Sequence, residues 1–425
     1  MKAGVVGLGL IGGSLLRALG GAGYDADPAT REAAAGEGYE VATSLEGLHG
    51  CDLVLVSVPP ARTAGVVEEV LAALPDDMIE RTAAETHGSA LELASRPHAT
   101  VAGAVAELAE LRAGLAAALA PLGLRAAASG THPFARWREV EVSPGARYRS
   151  IYETMRELAR REPTFALHVH VAVPDAEAAV RALDGLRVHV PLLLALAANS
   201  PFWQGRDTGL ASARVPIFGT FPRVGIPRRF GSYAEYVEAV DVLLRCGAFP
   251  EPTFLWWDVR LQPKLGTIEV RIMDAQTRIG DSAALAALVQ CAVRLAAIEG
   301  GVDEALAARP EVLDENRFIA TRDGMRAQFL DPVRRACRPA RDVLAELLSA
   351  CAPHAAALGC DEELAGVEAL AAEPGDQRQR VRVGVAQGDP VGPALGMLVS
   401  ALAAEFTAGA PRAEPRSRAG SARSP

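Results

Sequence analysis

Six residues into the chain, the apolar run Ala3-Gly4-Val5-Val6 meets Gly7-Leu8-Gly9-Leu10-Ile11-Gly12. That spacing tolerates few folds. The glycines permit a tight turn and a close backbone approach, and the helix that follows offers free N–H groups to a pyrophosphate. Strand signals at Ala3 to Val6, Tyr24 to Ala26 and Asp52 to Val58, with a helix over Ser14 to Leu19, imply a parallel sheet with crossover helices. Asp25 or Asp27 would be the acid that holds ribose hydroxyls. Gly20-Gly21-Ala22-Gly23 replaces most of a second strand, so the block amounts to half of a dinucleotide site. Half a site buries too little surface to be a robust domain alone.

The remaining chain is far longer than that block. With 425 residues and 50% hydrophobic content, more than one core is expected. The organisation read from the sequence is a Rossmann-like segment over 1–75, a second domain over 76–408, and a disordered tail over 409–425 rich in proline, arginine, serine and glycine. A net charge of -9 with no basic stripe argues against nucleic acid or an anionic membrane as partner. Small molecules are the expected ligands, and an oligomer is left open. Six cysteines lack metal-ligand spacing and suit reduced thiols in a cytoplasm. The N-terminus has no basic leader, and no unbroken apolar window is long enough to span a bilayer.

In the second block the pattern changes. Helices are expected over Val105 to Ala120, Ile151 to Arg161 and Val190 to Ala198, and a strand over Phe165 to Val173. Thr253 to Arg260 and Thr267 to Met273, divided by Pro263 and Gly266, read as a strand pair; Ser282 to Phe406 reads as mostly helical. In Thr267-Ile268-Glu269-Val270-Arg271 the two charged residues are two apart, so both face one side of a strand. Glu269 could bind a cation and Arg271 an anionic oxygen. An exposed salt bridge on a strand would show the same alternation. His168 and His170 likewise share a face, and His132 and Asn199 read equally well as turn and helix-end residues.

Two resemblances follow from longer strings. Gly7 to Leu15 and Cys51-Asp52-Leu53-Val54-Leu55-Val56-Ser57-Val58-Pro59-Pro60 resemble prephenate dehydrogenases over about 1–75, which implies NAD(P) on Gly7, Gly9, Gly12 and Asp25. That family's later catalytic elements have no counterpart here, so the segment is either a structural remnant or a bare binding site. From about 74 to 406 the chain resembles glutamate-cysteine ligase type 2, a family of ATP-dependent carboxylate-amine ligases. The match rests on Glu85-Thr86-His87-Gly88-Ser89, Gly130-Thr131-His132-Pro133-Phe134, Leu167-His168-Val169-His170-Val171, Asn199-Ser200-Pro201-Phe202-Trp203, Trp256-Trp257-Asp258-Val259-Arg260 and Gly266 to Asp274.

This second resemblance implies an α+β fold related to glutamine synthetase, an antiparallel sheet with long helices. It implies ATP and Mg²⁺ as cofactors, glutamate with cysteine or another amine as substrates, and an acyl phosphate on the way to the amide. It assigns Glu85, Glu92 and Glu269 to metal, His168 and Asn199 to the nucleotide side, and Arg214, Arg260 and Arg271 to catalysis. The family's opening Gly-Val-Glu-Glu-Glu strand, which supplies two further metal carboxylates, is replaced by the dehydrogenase-like block, so turnover is expected to be impaired. The alternatives are an NAD(P)-binding dehydrogenase-like protein and a catalytically inactive ligase-fold module.

Overall fold

The computed structural model describes residues 3–6, 22–24, 28–43, 53–56, 71, 74, 76–140, 142–143, 145–161, 163–300, 304–384 and 392–408. The N-terminal strands β1 (Ala3–Val6), β2 (Ala22–Tyr24), β3 (Glu40–Val41) and β4 (Leu53–Val56) form a parallel sheet in the order β3-β2-β1-β4. The parallel arrangement follows the reading of the sequence. Two details differ: Ala22 and Gly23 do form strand, each paired with a residue of β1, and β3 was not foreseen. Gly7 and Asp25 are the residues that next follow β1 and β2 in the chain. They lie outside the described residues, as do Gly9, Gly12, the helix expected over Ser14 to Leu19 and the 409–425 tail.

The rest is a mixed α+β body, mostly helical, with small antiparallel sheets. A hairpin, β5 (Thr82–Ala84) and β6 (Leu91–Leu93), precedes helix α1 (Val101–Leu119). Thr100 caps α1 by accepting the Gly103 N–H, one of the donors a helix start leaves unpaired. The central sheet has three strands: β7 (Val169–Ala172), β8 (Val259–Gln262) and β9 (Thr267–Val270), with β9 in the middle and both pairings antiparallel. It is shorter than expected. Only 169–172 of the run 165–173 pairs as a strand, and Trp256–Trp257 pairs with Val224–Gly225 rather than extending β8. The turn joining β8 to β9 needs Gly266, whose φ of +63° is costly for any residue with a Cβ.

Behind this sheet stand α2 (Ala176–Leu186), α3 (Val190–Ala197) and the 21-residue α4 (Ile279–Glu299). Ile268 and Val270 are fully buried on that side, in one core with Leu183, Leu194 and Leu288. Alternation along β9 therefore leaves Glu269 on the opposite face. Helix α4 is long and apolar enough to cross a membrane, yet 67% of its apolar window is buried inside the protein, as in the core helix of a globular domain. Helices α5 (Pro310–Asp323), α6 (Ala340–Leu358), α7 (Asp361–Ala372), α8 (Gly375–Val383) and α9 (Gly392–Phe406) follow among the described residues. The mostly helical reading from Ser282 onward holds, with one hairpin, Gln328–Asp331 against Ala336–Pro339, interrupting it. The helix expected over Ile151 to Arg161 is broken at Arg156, where φ is +53°.

One buried carboxyl has a consequence for stability. Asp376 on α8 is 0% exposed, its Oδ1 has no hydrogen-bond partner among the described residues, and Arg380 approaches Oδ2 only to 3.5 Å. Burial raises its pKa to about 6, opposed by Arg380 and Arg326. A carboxyl raised in the folded state favours folding below its unfolded pKa, and that contribution is lost as pH rises through the folded value. Wild-type stability should therefore carry a fall between about pH 4 and pH 6 from this group, and Asp376→Asn should remove it. Thermal unfolding of both proteins across that range is the check; parallel curves would contradict it.

Candidate active site

Across the open face of the central sheet, register sets Arg260, Glu269 and His170 side by side on neighbouring strands. Glu269 is the hub. Its side chain is only 2% exposed, and Arg260 donates to it from Nε at 2.6 Å and from Nη2 at 3.2 Å. Gln262 Nε2 adds a bond of 2.8 Å, and Arg271 Nη1 donates to Oε1. His168 Nδ1 and His170 Nε2 lie 3.7 Å and 3.8 Å from the same oxygen. The exposed salt bridge that alternation alone would allow is therefore excluded: this is a buried network. Burial pushes the Glu269 carboxyl up, but the charges of Arg271 and Arg260 and the Arg260 hydrogen bond outweigh it and hold it well below the usual carboxylate range.

The two arginines differ. Arg260 is fully committed, since Nη1 also donates to the Thr253 and Leu255 carbonyls at 2.7 Å and 2.8 Å. Among the described residues Arg271 is held only through Nη1, and its buried Nε has no hydrogen-bond partner. A buried donor left open costs free energy unless a ligand takes it up. Burial and the Arg271 charge push His168 well below its ordinary pKa, so its ring is neutral.

Glu85 and Glu92 flank the same centre from the β5–β6 hairpin. The Glu92 carboxyl is pushed up by burial, then by the Glu85 charge, and further by Glu269, against the opposing pull of Arg271 and Arg147. Glu92 accepts no hydrogen bond among the described residues. Tyr148, donating to the Ala84 carbonyl, is likewise raised by burial and by Glu85 and Glu92. Glu85 accepts only a long bond from the Thr86 N–H at 3.3 Å, and like charges gathered this way are what a hard cation relieves. Among the described residues no group of three or more His, Cys, Asp or Glu side chains is placed to hold a metal ion. Glu85 and Glu92 nevertheless fit Mg²⁺, which typically takes one or two carboxylates and completes its shell with water and substrate phosphates. Glu269 fits less well as a ligand, because Arg260, Arg271 and Gln262 occupy both its oxygens.

Two expected ligand donors turn out to be internal braces. Asn199 is 1% exposed; its Nδ2 donates to the Ala275 carbonyl at 2.8 Å and Thr277 Oγ1 at 3.1 Å, and its Oδ1 accepts from Gln379 at 2.8 Å. With its amide spent, it holds α8 against the sheet instead of reaching a nucleotide. Arg214 is 4% exposed and donates to the Ile272 and Arg271 carbonyls at 3.0 Å and 3.1 Å. It fixes the backbone that carries Arg271, a positioning role. Both belong to a knot around Asp274, which accepts Ser200 Oγ, Ser212 Oγ and the Asn199 N–H at 2.7–2.9 Å. Gly130 is needed there, since a Cβ at that position would lie 2.6 Å from Asp274. His132 is a turn residue: its Nδ1 accepts the Phe134 and Ala135 N–H groups.

Sequence reasoning missed Gln262, Tyr148 and Arg147. Gln262 could have been found, since it stands two residues from Arg260 and so shares its face. Tyr148 and Arg147 sit on an amphipathic helix with no motif around them.

The model of glutamate-cysteine ligase family 2 matches residues 55–389. The match starts earlier than the boundary near 74 read from the sequence, and none of these likenesses supports a dehydrogenase-like segment over 1–75. Two proteins of Rubrobacter xylanophilus, "Putative glutamate--cysteine ligase 2-1" and its 2-3 namesake, are 43% and 44% identical over 330 and 316 residues. They cover 77% and 74% of this chain, and the matches span 88% and 85% of those proteins. A crystal structure of glutamate–cysteine ligase from Francisella tularensis in complex with AMP superposes with a TM-score of 0.56, covering 80% of this chain and 84% of that one. Its identity is 11%, so it supports the fold alone. The family match over most of the chain and the extent of these relatives lead to one conclusion: the chain belongs to glutamate-cysteine ligase family 2.

Proposed function

We propose that the chain is an ATP-dependent ligase that joins the side-chain carboxylate of glutamate to the amine of cysteine. A carboxylate does not condense with an amine in water unaided. Transfer of the terminal phosphoryl group of ATP to a carboxylate oxygen releases ADP and leaves an acyl phosphate. The amine nitrogen then attacks the acyl carbon, expels inorganic phosphate and loses a proton. Each step gathers negative oxygens, and catalysis is chiefly their alignment and neutralisation.

The observation that carries this reading is the pairing of a buried arginine clamp, Glu269 with Arg260 and Arg271, with the carboxylates Glu85 and Glu92 beside it. Arg271 offers its open Nε to an anionic oxygen of glutamate or phosphate, with geometry set by Glu269 and Arg214. Neutral His168 would offer a hydrogen bond to a substrate oxygen without adding charge. Glu85 and Glu92 would hold Mg²⁺, which when bound screens the phosphates and orients them. Tyr148 packs beside those carboxylates and aligns the hairpin that bears them. Loss of the family's usual opening glutamate strand leaves fewer metal carboxylates, and turnover is expected to be slow.

A second reading attaches to the N-terminal sheet. The order β3-β2-β1-β4, all parallel, is that of a mononucleotide-binding half, and NAD(P) on Gly7, Gly9, Gly12 and Asp25 remains the ligand it would take. Thermal unfolding separates the two. MgATP at a hundredfold excess over its dissociation constant should stabilise by about 2.7 kcal/mol, and Glu85→Gln with Glu92→Gln should abolish the Mg²⁺ dependence. Stabilisation by NAD alone would overturn the ranking.

A further inference from the structure

Between the residue that follows α2, the loop at Ile226 to Arg228 and the start of α5 lies a cavity of about 150 Å³ whose lining does not include Glu269. At about 30 Å³ per water, it has room for roughly five solvent molecules or one small organic molecule. Arg187, which directly follows α2, lines it and is 2% exposed. The guanidinium is fixed by two carbonyls, Nε to Pro227 at 2.6 Å and Nη1 to Ala307 at 3.3 Å. Nη2 has no hydrogen-bond partner among the described residues. A buried, preorganised fork with one edge unspent is a carboxylate receptor.

The other lining residues narrow the ligand. Ile226 and Leu313 are apolar, and Arg228 and Asp314 are exposed members of the same wall. Asp314 acts electrostatically on Arg187, so cation and carboxylate face one small space. A bare anion would gain from the arginines but be opposed by Asp314. A zwitterion satisfies both charges, and a short apolar side chain matches the remaining wall.

We propose that this cavity binds a small free α-amino acid, its carboxylate on Arg187 and its ammonium on Asp314, separately from the reacting substrates. The site does not depend on the ligase reading, because its residues are distinct from those of the Glu269 face.

Titration calorimetry on the full chain, with glutamate and cysteine saturating, tests it with L-valine as probe. L-Valine should bind, while N-acetyl-L-valine and L-valinamide should each bind at least about tenfold more weakly, as expected for loss of a charged hydrogen bond. Asp314→Asn, an exposed change that spares the core, should weaken L-valine by a similar factor and leave ligase turnover without L-valine unchanged. Arg187→Lys should weaken it more; if that variant misfolds, Asp314→Asn still decides. Absence of L-valine binding, binding unaffected by Asp314→Asn, or inorganic phosphate binding as tightly as L-valine would each overturn the proposal.

Discussion

Glu269→Gln is expected to destabilise the fold by about 3–5 kcal/mol, because it removes one partner of a buried ion network and leaves Arg260 and Arg271 charged beside a neutral amide. Size conservation alone would suggest a silent change. The structure reverses that, since Glu269 is 2% exposed and accepts from two guanidiniums and Gln262. The sign with pH follows from the lowered carboxyl. A group depressed in the folded state contributes stability above its unfolded pKa of about 4.3 and loses it as pH falls through the folded value. Wild type and variant should differ most near neutrality and converge in acid. Urea unfolding at several pH values measures this, and a loss under about 1 kcal/mol at pH 7 would place Glu269 among solvated ion pairs.

Arg271→Ala is expected to lower ligase turnover by about 10²- to 10³-fold, the usual cost of removing one preorganised contact to developing charge. Arg271→Lys should recover little of it, because an ammonium offers neither the planar fork nor a donor at the position of Nε. The Arg271 carbonyl is held by Arg214, so the backbone should stay in place and the loss should appear in kcat more than in stability. Steady-state kinetics with a circular dichroism control decides it. A fall of less than about fivefold with Arg271→Ala would remove this residue from the reacting site.

Alternation made much of this site legible. Glu269 and Arg271, or His168 and His170, can be assigned to a shared face from spacing alone, because a strand has a period of two. The parallel character of the N-terminal sheet followed from a different signal, strands alternating with helices that serve as crossovers. What spacing could not give was commitment. Asn199 and Arg214 carry the right chemistry for ligand binding, but partners far off in the chain engage them: Ala275 and Thr277 accept from the Asn199 amide, Gln379 donates to its oxygen, and the Ile272 and Arg271 carbonyls hold the Arg214 guanidinium. Glu85, Glu92 and Glu269 were grouped only through the family resemblance, whereas the electrostatic coupling of Glu92 to Glu85 and Glu269 depends on how the hairpin folds over the sheet. The length of the central sheet was over-read because Trp256 and Trp257 satisfy strand propensity yet pair elsewhere. Local patterns specify a face; partners remote in sequence decide whether a polar group on it is free.

The acyl phosphate is the centre of the account, and oxygen transfer tests it most directly. Glutamate labelled with ¹⁸O in its side-chain carboxylate is incubated with the full chain, ATP, Mg²⁺ and cysteine, and the released phosphate is analysed by mass spectrometry. The account predicts one labelled oxygen in each phosphate released, γ-glutamylcysteine formed in equal amount, and both dependent on Arg271. Phosphate released without label, or no phosphate release attributable to glutamate, would contradict it.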